Sequence, residues 1–131
     1  MTEEQFKERT RKLALRVIAL VESLGRTGTA GVIGRQVVRS GTSIGANYRA
    51  ACRAKSRADI AAKLAIVEEE ADETVYWLEL LVESGIVSGK RLQPLIDETN
   101  EILAMTVASI KTLKRGLLTE SKRLVNLKSK I

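Results

Sequence analysis

The spacing of apolar residues limits the possible folds of this chain more than any other feature of its sequence. Between residues 60 and 82, apolar side chains recur at steps of three and four, which places them on one face of an α-helix. The same spacing returns through most of the 131 residues, and the alternating pattern of strands is absent. A chain of this length has room for one core, and its four aromatic residues leave that core to Leu, Ile, Val and Ala. The sequence therefore predicts an all-α domain.

Capping and turn residues divide this pattern into helices. We expect the first helix to begin after Thr2 and to stop at Gly25, and the second to span about residues 30–54. The third should be capped by Ser56 and should end at Ser84. With a fourth helix after it and short connections throughout, the sequence predicts an up-down-up-down antiparallel four-helix bundle that forms oligomers.

The C-terminal tail is the segment whose structure the sequence leaves open. The fourth helix should begin near Ser88 and complete a bundle domain of residues 1–116, followed by residues 117–131 as a basic tail or helix extension. Apolar residues of the tail step by four and three, so the helix could continue through Gly116. The tail is then a helix against a partner, a nucleic-acid arm, or disordered. Seven basic residues surround it: Lys111, Lys114, Arg115, Lys122, Arg123, Lys128 and Lys130.

A row of arginines on the second helix is the strongest functional signal. Residues 33–57 carry six positive charges and neither Asp nor Glu. At about 100° per residue, five arginines fall within about 40° of one line. They form the arginine stripe: Arg35, Arg39, Arg49, Arg53 and Arg57. Apolar residues lie near the opposite pole, so this helix needs a core behind it and an anionic partner in front of it.

Small residues occupy one flank of the same helix. Gly34, Gly41, Gly45 and Cys52 cluster on the helical wheel, and each glycine costs about 0.8–1.0 kcal/mol relative to Ala in a helix interior. The clustering predicts close approach of another helix backbone, the alternative being a locally weak or kinked helix. Cys52 is predicted to be a structural thiol, not a reactive one.

Acidic residues compete for the arginine stripe. Residues 58–110 hold eleven acidic and three basic residues, a net charge of −8 within a chain of net charge +6. Three partners are therefore open for the stripe: the acidic third helix of the same subunit, that helix in another subunit, or nucleic-acid phosphates. Ser43 and Asn47, between the stripe and the core face, should bond to a neighbouring helix or, alternatively, tie subunits together or contact a phosphate.

Several chemical functions lack the residues that they need. The chain has no His and one Cys, which argues against metal clusters and the commonest general base. The acids at Glu68–Glu70, Asp72 and Glu73 point mostly away from the apolar stripe, so they predict a solvated or arginine-paired face. The sequence has no phosphate-loop motif and no bilayer-spanning run of ~20 apolar residues, and with no signal-peptide pattern before the first helix we expect no such peptide. We expect a cytoplasmic protein with no enzymatic activity, no cofactor, no metal and no membrane partner.

Residues 37–51, 54–59 and 65–81 resemble a known family of bacterial four-helix bundles. These are the 23S rRNA intervening-sequence proteins, a group that includes the accessory variability proteins of diversity-generating retroelements. The most specific match is Arg39, Ser43, Ile44 and Asn47, in an Arg-x-x-x-Ser-Ile-x-x-Asn pattern. The resemblance implies a ring-like homopentamer and, for the retroelement members, binding of nucleic acid and a reverse transcriptase through a basic surface.

Two functions follow as predictions. The first is a non-enzymatic oligomer that binds RNA or DNA electrostatically, with a role as accessory protein of a reverse transcriptase as one form of it. Its binding residues would be Arg35, Arg39, Arg49, Arg53, Arg57, Lys114, Arg115, Lys122 and Arg123, and its oligomer or structural motif would be Ser43, Asn47, Tyr48 and Trp77. The alternative is a structural or protein-interaction module whose arginine stripe pairs with the acidic third helix between subunits.

Overall fold

Four helices form the architecture of the described residues. The computed structural model describes residues 1–129, with side chains as far as residue 126. The helices are α1 (Glu3–Leu24), α2 (Gly28–Arg53), α3 (Arg57–Glu83) and α4 (Gly89–Ser129), and no strand occurs between residues 1 and 129. Successive helices run antiparallel: α2 packs on α1 and α3, α3 packs on α4, and α1 meets α4 more lightly. The predicted all-α four-helix bundle is confirmed.

Local sequence fixes most helix ends. The Thr2 hydroxyl accepts the Gln5 backbone N–H at 3.1 Å, and the Gln5 side chain accepts the Thr2 N–H at 2.9 Å, which is a capping box. The Ser56 hydroxyl caps α3 by accepting the Asp59 N–H at 3.1 Å. Gly25 follows α1 with φ of +81°, a conformation that side chains other than glycine rarely adopt. The predicted ends therefore agree, except that α2 starts at Gly28, about two residues early.

The core consists of aliphatic side chains from all four helices. Its largest fully buried members are Leu13, Val17, Val37, Ile44, Val67, Leu78, Leu81, Leu92 and Ile102. Ser40 and Thr74 are also buried, and their hydroxyls share a hydrogen bond of 2.9 Å across the α2–α3 contact. Each hydroxyl also lies within hydrogen-bond distance of a carbonyl in its own helix, so these buried polar groups are satisfied.

The glycines of α2 admit α1 at close range. A Cβ built at Gly41 would lie 2.9 Å from both methyl carbons of Val17, and one at Gly45 would lie 3.2 Å from the Thr10 hydroxyl. Since α2 is continuous and both neighbours belong to α1, the predicted close approach is confirmed. Cys52 is half-buried on the same flank, and burial raises the pKa of its thiol, as expected of a structural cysteine.

The helix α4 continues through Gly116 as far as Ser129. Residues 117–129 of α4 form an extension of the helix (the extension), which passes the start of α3. Among the described side chains, one ion pair links its base to the bundle, from the Arg57 guanidinium to the Glu120 carboxylate at 3.2 Å. Helix is therefore the observed structure of residues 117–129, whereas the side chains of Lys128 and Lys130 lie outside the described residues.

A charged cluster joins α1 to α4 where their packing is light. The Arg9 guanidinium donates two hydrogen bonds to Glu98, from Nε at 2.8 Å and from Nη2 at 2.6 Å, and it also reaches Glu101 at 3.0 Å. The hydrogen bonds from Arg9 hold the pKa of the Glu98 carboxyl below its usual range. This bidentate pair helps to fix the register of α1 against α4.

Replacing Gly41 by Ala should lower the free energy of unfolding by about 1–3 kcal/mol, because the new methyl group overpacks against the buried Val17. Gly116→Ala is the control, since its methyl group meets only the end of the flexible Arg57 side chain. That control should be neutral or stabilising by up to about 1 kcal/mol. Urea denaturation measures both variants, and equal stabilisation by both would contradict the described packing of α1.

Replacing Glu98 by Gln should destabilise the protein near neutral pH by about 1–2 kcal/mol, because the charged Arg9 pair is lost. The pKa of Glu98 is lower in the folded state, so the stabilisation by the wild-type carboxylate is present above the unfolded pKa and disappears as pH falls through the folded pKa. The two proteins should thus converge in acid. Denaturation from about pH 7 to pH 2 tests this, with exposed Glu22→Gln as the neutral control; a pH-independent gap would contradict it.

Candidate nucleic-acid interface

The helix α2 turns its arginine stripe away from the core. Its predicted apolar side is buried at Ile33, Val37, Ile44 and Ala51, and Tyr48 on that side is half-buried. Because α1 covers the glycine flank and α3 covers the other flank, the remaining side of α2 faces solvent. The five residues of the arginine stripe are all exposed there or just beyond, at the start of α3.

Arg39 is occupied by acids of its own chain. Its guanidinium pairs with Glu70 at 3.4 Å and forms a shorter ion pair with Glu73. The indole N–H of Trp77 donates to the same Glu73 carboxylate at 3.1 Å. The hydrogen bonds from Arg39 and then from Trp77 lower the pKa of Glu73. For Arg39, therefore, the partner is the third helix of the same subunit.

Among the described side chains, the other arginines of α2 have no such partner. Arg35, Arg49 and Arg53 form no ion pair with any side chain up to residue 126. Arg57 differs, because it pairs with Glu120 of the extension. Within the part of the chain that has described side chains, three cations of the stripe are thus exposed and unpaired, and they can meet an external anion.

Much of the basic charge gathers at one end of the bundle. The last turns of α2, the start of α3 and the end of α4 lie together there, as the contact between Arg57 and Glu120 shows. Arg49 and Arg53 stand at this end, whereas Arg35 lies about 27 Å from Arg53 along α2. The predicted tail cations Lys114, Arg115, Lys122 and Arg123 are exposed at the same end.

A cleft between α1 and α2 adjoins Arg49. Its volume is about 530 Å³, and Thr10 and Gly45 are among the residues that line it. Three cationic and two anionic side chains stand around it: Lys7, Arg11, Arg49, Glu4 and Glu8. The mixed charge gives the cleft no preference for an anion, so the exposed stripe remains the better candidate for phosphate contacts.

Ser43 and Asn47 bond within α2. The Ser43 hydroxyl donates to the Arg39 carbonyl at 2.6 Å, and the Asn47 amide donates to the Ser43 carbonyl at 2.9 Å. The prediction that they bond to a neighbouring helix is therefore wrong, because both polar groups reach their own helix backbone first. Their role between subunits stays a prediction.

The aromatic residues divide between packing and surface. Tyr48 packs edge-to-face on Phe6 with ring centroids 4.5 Å apart, and burial raises the pKa of its hydroxyl. Trp77 is half-buried and contacts Tyr76 edge-to-face at 5.1 Å. Tyr76 itself is 56% exposed, amid acidic residues of α3. In the described part of the chain, Trp77 approaches only Arg39, through their shared partner Glu73, and no aromatic ring stands beside Arg35, Arg49 or Arg53 to stack on bases.

Two other kinds of site find no support in the described residues. Nowhere among them do three His, Cys, Asp or Glu side chains come together in a way that could hold a metal ion. Glu70 and Glu73, which belong to the acidic run, instead face Arg39. No helix in the same part of the chain combines the length and apolarity needed to cross a bilayer.

Two exposed surfaces were not predicted from the sequence. On α3, Tyr76 is exposed in a row of acids that form no ion pair within the described residues. On α4, Leu118 and Val125 are about 60% exposed, and they lie outside the row of tail residues that steps by four and three. The three-and-four pattern marks the side chains that pack inside one subunit, so it carries little information on apolar residues of an outer face.

Comparisons with known proteins place this architecture in a family. Residues 3–108 match the 23S rRNA-intervening sequence protein family. Among solved structures, the chain is similar to a protein of unknown function from the S23 ribosomal protein family of Bacteroides thetaiotaomicron. The two share 37% identity over 85% of this chain and 99% of the other, with a TM-score of 0.79. No curated protein matches the sequence. With its four-helix fold and this match over most of its length, the chain belongs to the 23S rRNA-intervening sequence protein family.

Proposed function

We propose that this chain is a non-enzymatic cytoplasmic protein that forms homo-oligomers and binds RNA or DNA through the phosphate backbone. The observation that carries the proposal is the exposure of Arg35, Arg49 and Arg53 without an acidic partner in the described structure. Guanidinium groups match phosphate geometry, and phosphate contacts supply most of the affinity of non-specific binding. The name of the family refers to 23S rRNA, which makes RNA the first ligand to test.

The proposed binding has little sequence specificity. Base recognition needs side chains that stack on bases or reach their edges, and no such set surrounds Arg35, Arg49 and Arg53. Contacts restricted to phosphates position a nucleic acid without reading it. Binding should therefore tolerate changes of base sequence and weaken steeply as salt concentration rises.

Self-association in a ring of five subunits is part of the proposal. It rests on the family resemblance of Arg39, Ser43, Ile44 and Asn47, together with the exposed arginines and acids that subunits could offer each other. In the alternative function, the free arginines would pair with the acidic α3 of another subunit, and the protein would be a purely structural module. The exposed Glu69 and Asp72, which form no ion pair in the described structure, keep that alternative testable.

Changing Arg35, Arg49 and Arg53 together to Glu should weaken binding of single-stranded RNA by at least about tenfold at 50 mM salt, because three phosphate contacts become repulsive. Arg39 stays unchanged because it holds Glu70 and Glu73. The matched control changes three exposed lysines elsewhere, Lys12, Lys63 and Lys90, to Glu. Fluorescence anisotropy measures binding, and circular dichroism checks the fold.

Light scattering on the same samples separates the two functions. Under nucleic-acid binding, the triple arginine variant keeps the mass of the wild-type oligomer, five times that of one chain, and loses RNA. Under the structural alternative, its oligomer dissociates and its thermal stability falls. RNA binding by the folded triple variant at the strength of the lysine control would contradict the proposal.

A reverse transcriptase is a further proposed partner, and it rests only on the resemblance to the retroelement members. If the contact exists, the basic surface that binds nucleic acid should contribute to it. A reverse transcriptase encoded beside this chain should then co-purify with the wild type and more weakly with the triple arginine variant. Equal recovery of that enzyme with both proteins, or with neither, would contradict this partnership.

A further inference from the structure

The turn between α1 and α2 brings a further arginine close to the arginine stripe. Gly25 and Gly28 both have positive φ, of +81° and +66°, so the chain reverses within a few residues of the end of α1. A Cβ at Gly31 would collide with the Arg26 carbonyl, which shows how closely the turn lies against the start of α2. The backbone of the turn therefore fixes the position of Arg26.

Arg26 and Arg35 border one cleft at this end of the bundle. The volume of the cleft is about 370 Å³, and its other lining residues are Val21, Glu22, Gly25 and Gly31. Both arginines are exposed, and neither forms an ion pair with a described side chain. Two cations thus stand against the single carboxylate of Glu22, so an external anion can be attracted to the cleft.

Arg49 and Arg53 form a second cationic group near the other end of α2. They lie about 21 Å and about 27 Å from Arg35 along the helix axis, and within about 40° of it around the helix. Arg39 lies between the two groups, but acids of α3 already occupy its guanidinium. The available charge of α2 is therefore concentrated in two separate groups that face the same side.

The surface of α2 between the two groups is unobstructed. Thr42 and Ala46 lie within about 20° of Arg35 around the helix, and both side chains are small. The sequence has no acidic residue from position 33 to position 57. A broad ligand can therefore lie along α2 and contact both groups without meeting a bulky or acidic side chain of that helix.

The distance between the two groups favours a rigid ligand. Binding at two sites is strengthened most when the ligand has the length and stiffness to reach both. A DNA duplex is stiff over about 150 base pairs, and about 27 Å corresponds to about 8 base pairs. Each backbone of the duplex returns once per turn of about 34 Å, so a line of about 27 Å can cross both backbones. A single strand is flexible, so it gains less from the second site.

A single strand would also lack the contacts that usually hold it. Proteins that bind single strands provide aromatic rings on which successive bases stack. Among the described residues, no aromatic ring stands beside Arg35, Arg49 or Arg53. The backbone charge of a duplex is denser, at about one per 1.7 Å against about one per 3.4 Å in one of its strands. Cations without aromatic neighbours therefore suit a duplex better than a single strand.

We propose that Arg26 and Arg35 form a second phosphate site, and that this site and the group of Arg49 and Arg53 bind the two ends of one stretch of double-stranded nucleic acid. The inference rests on the proposed function and specifies its ligand. A duplex of about 8 base pairs or more is bound more tightly than a single strand, because only the duplex holds phosphates at both groups without being ordered first.

The length of a hairpin stem tests this proposal. Two hairpins share one loop and have stems of about 5 and about 16 base pairs, and the short stem spans only about 17 Å. At 50 mM salt, Arg26→Glu should weaken binding of the long stem at least about fivefold, because one of its two phosphate contacts becomes repulsive. Binding of the short stem should change less than about twofold, because that stem reaches only the group of Arg49 and Arg53. Fluorescence anisotropy measures both, with hairpins of RNA and of DNA.

Lys90→Glu is the matched control. It makes the same charge change at the same end of the bundle, where the Arg91 guanidinium at the start of α4 donates to the Ser23 hydroxyl of α1 at 2.9 Å. Lys90 is exposed but does not line the cleft of Arg26 and Arg35. This control should bind both stems like the wild type, and Arg26→Lys should retain most of the affinity for the long stem. Circular dichroism checks the fold of each variant.

Three results would overturn the proposal. They are an equal effect of Arg26→Glu on the two stems, an effect no larger than that of Lys90→Glu, and an unpaired strand that binds as tightly as the long stem. The proposed function would survive all three if changing Arg35, Arg49 and Arg53 to Glu still weakened binding of single-stranded RNA. A wild type that binds neither hairpins nor single strands would overturn both.

Discussion

The burial of α2 on two sides determines the rest of this structure. Gly41 and Gly45 let α1 approach so closely that a single added methyl group would collide with Val17. On the opposite flank, α3 packs on α2 and shares a buried hydrogen bond between Ser40 and Thr74. With its apolar side in the core, α2 has one surface left for its arginines, and that surface faces solvent. The basic surface is thus a consequence of packing. Substitutions at Gly41 or Gly45 should therefore displace the arginines of α2 although they do not contact them.

Some acids and arginines of this chain pair with each other within one subunit, and others remain available to a partner. Arg39 with Glu70 and Glu73, and Arg9 with Glu98 and Glu101, join helices of one subunit. The other arginines of α2 and the other exposed acids of α3 lie on sides of these helices that face solvent and not each other. Exposed pairs contribute only about 0–1 kcal/mol each, so the free charges are better explained by recognition of partners than by stability.

The fold could be predicted almost entirely from the sequence, because the three-and-four pattern, the Thr2 and Ser56 caps and the Gly25 stop act locally. The glycine flank also predicted a close helix contact, although not that Val17 would supply it. The bonds of Ser43 and Asn47 could not be predicted, because a short polar side chain reaches its own backbone as easily as a neighbour.

The candidate site was predictable only in part. The charge pattern predicted the arginine stripe. It could not predict that Arg39 pairs with α3 while Arg35, Arg49 and Arg53 form no ion pair with described side chains, because that depends on how α3 lies against α2. Likewise, the exposure of Leu118 and Tyr76 depends on which sides of α4 and α3 face the other helices of the bundle. Such relations between helices are not encoded in local spacing, and they decide which charges remain for a partner.

The salt dependence of RNA binding tests the central claim most directly, namely that three arginines of α2 contact phosphates. The slope of log affinity against log salt counts the phosphate contacts, at about 0.7 per contact for a single strand. If all three arginines contact phosphates, the slope should become shallower by about 2 when Arg35, Arg49 and Arg53 are all replaced by Ala. An unchanged slope in that folded variant would show that these arginines do not contact the nucleic acid and would contradict the account.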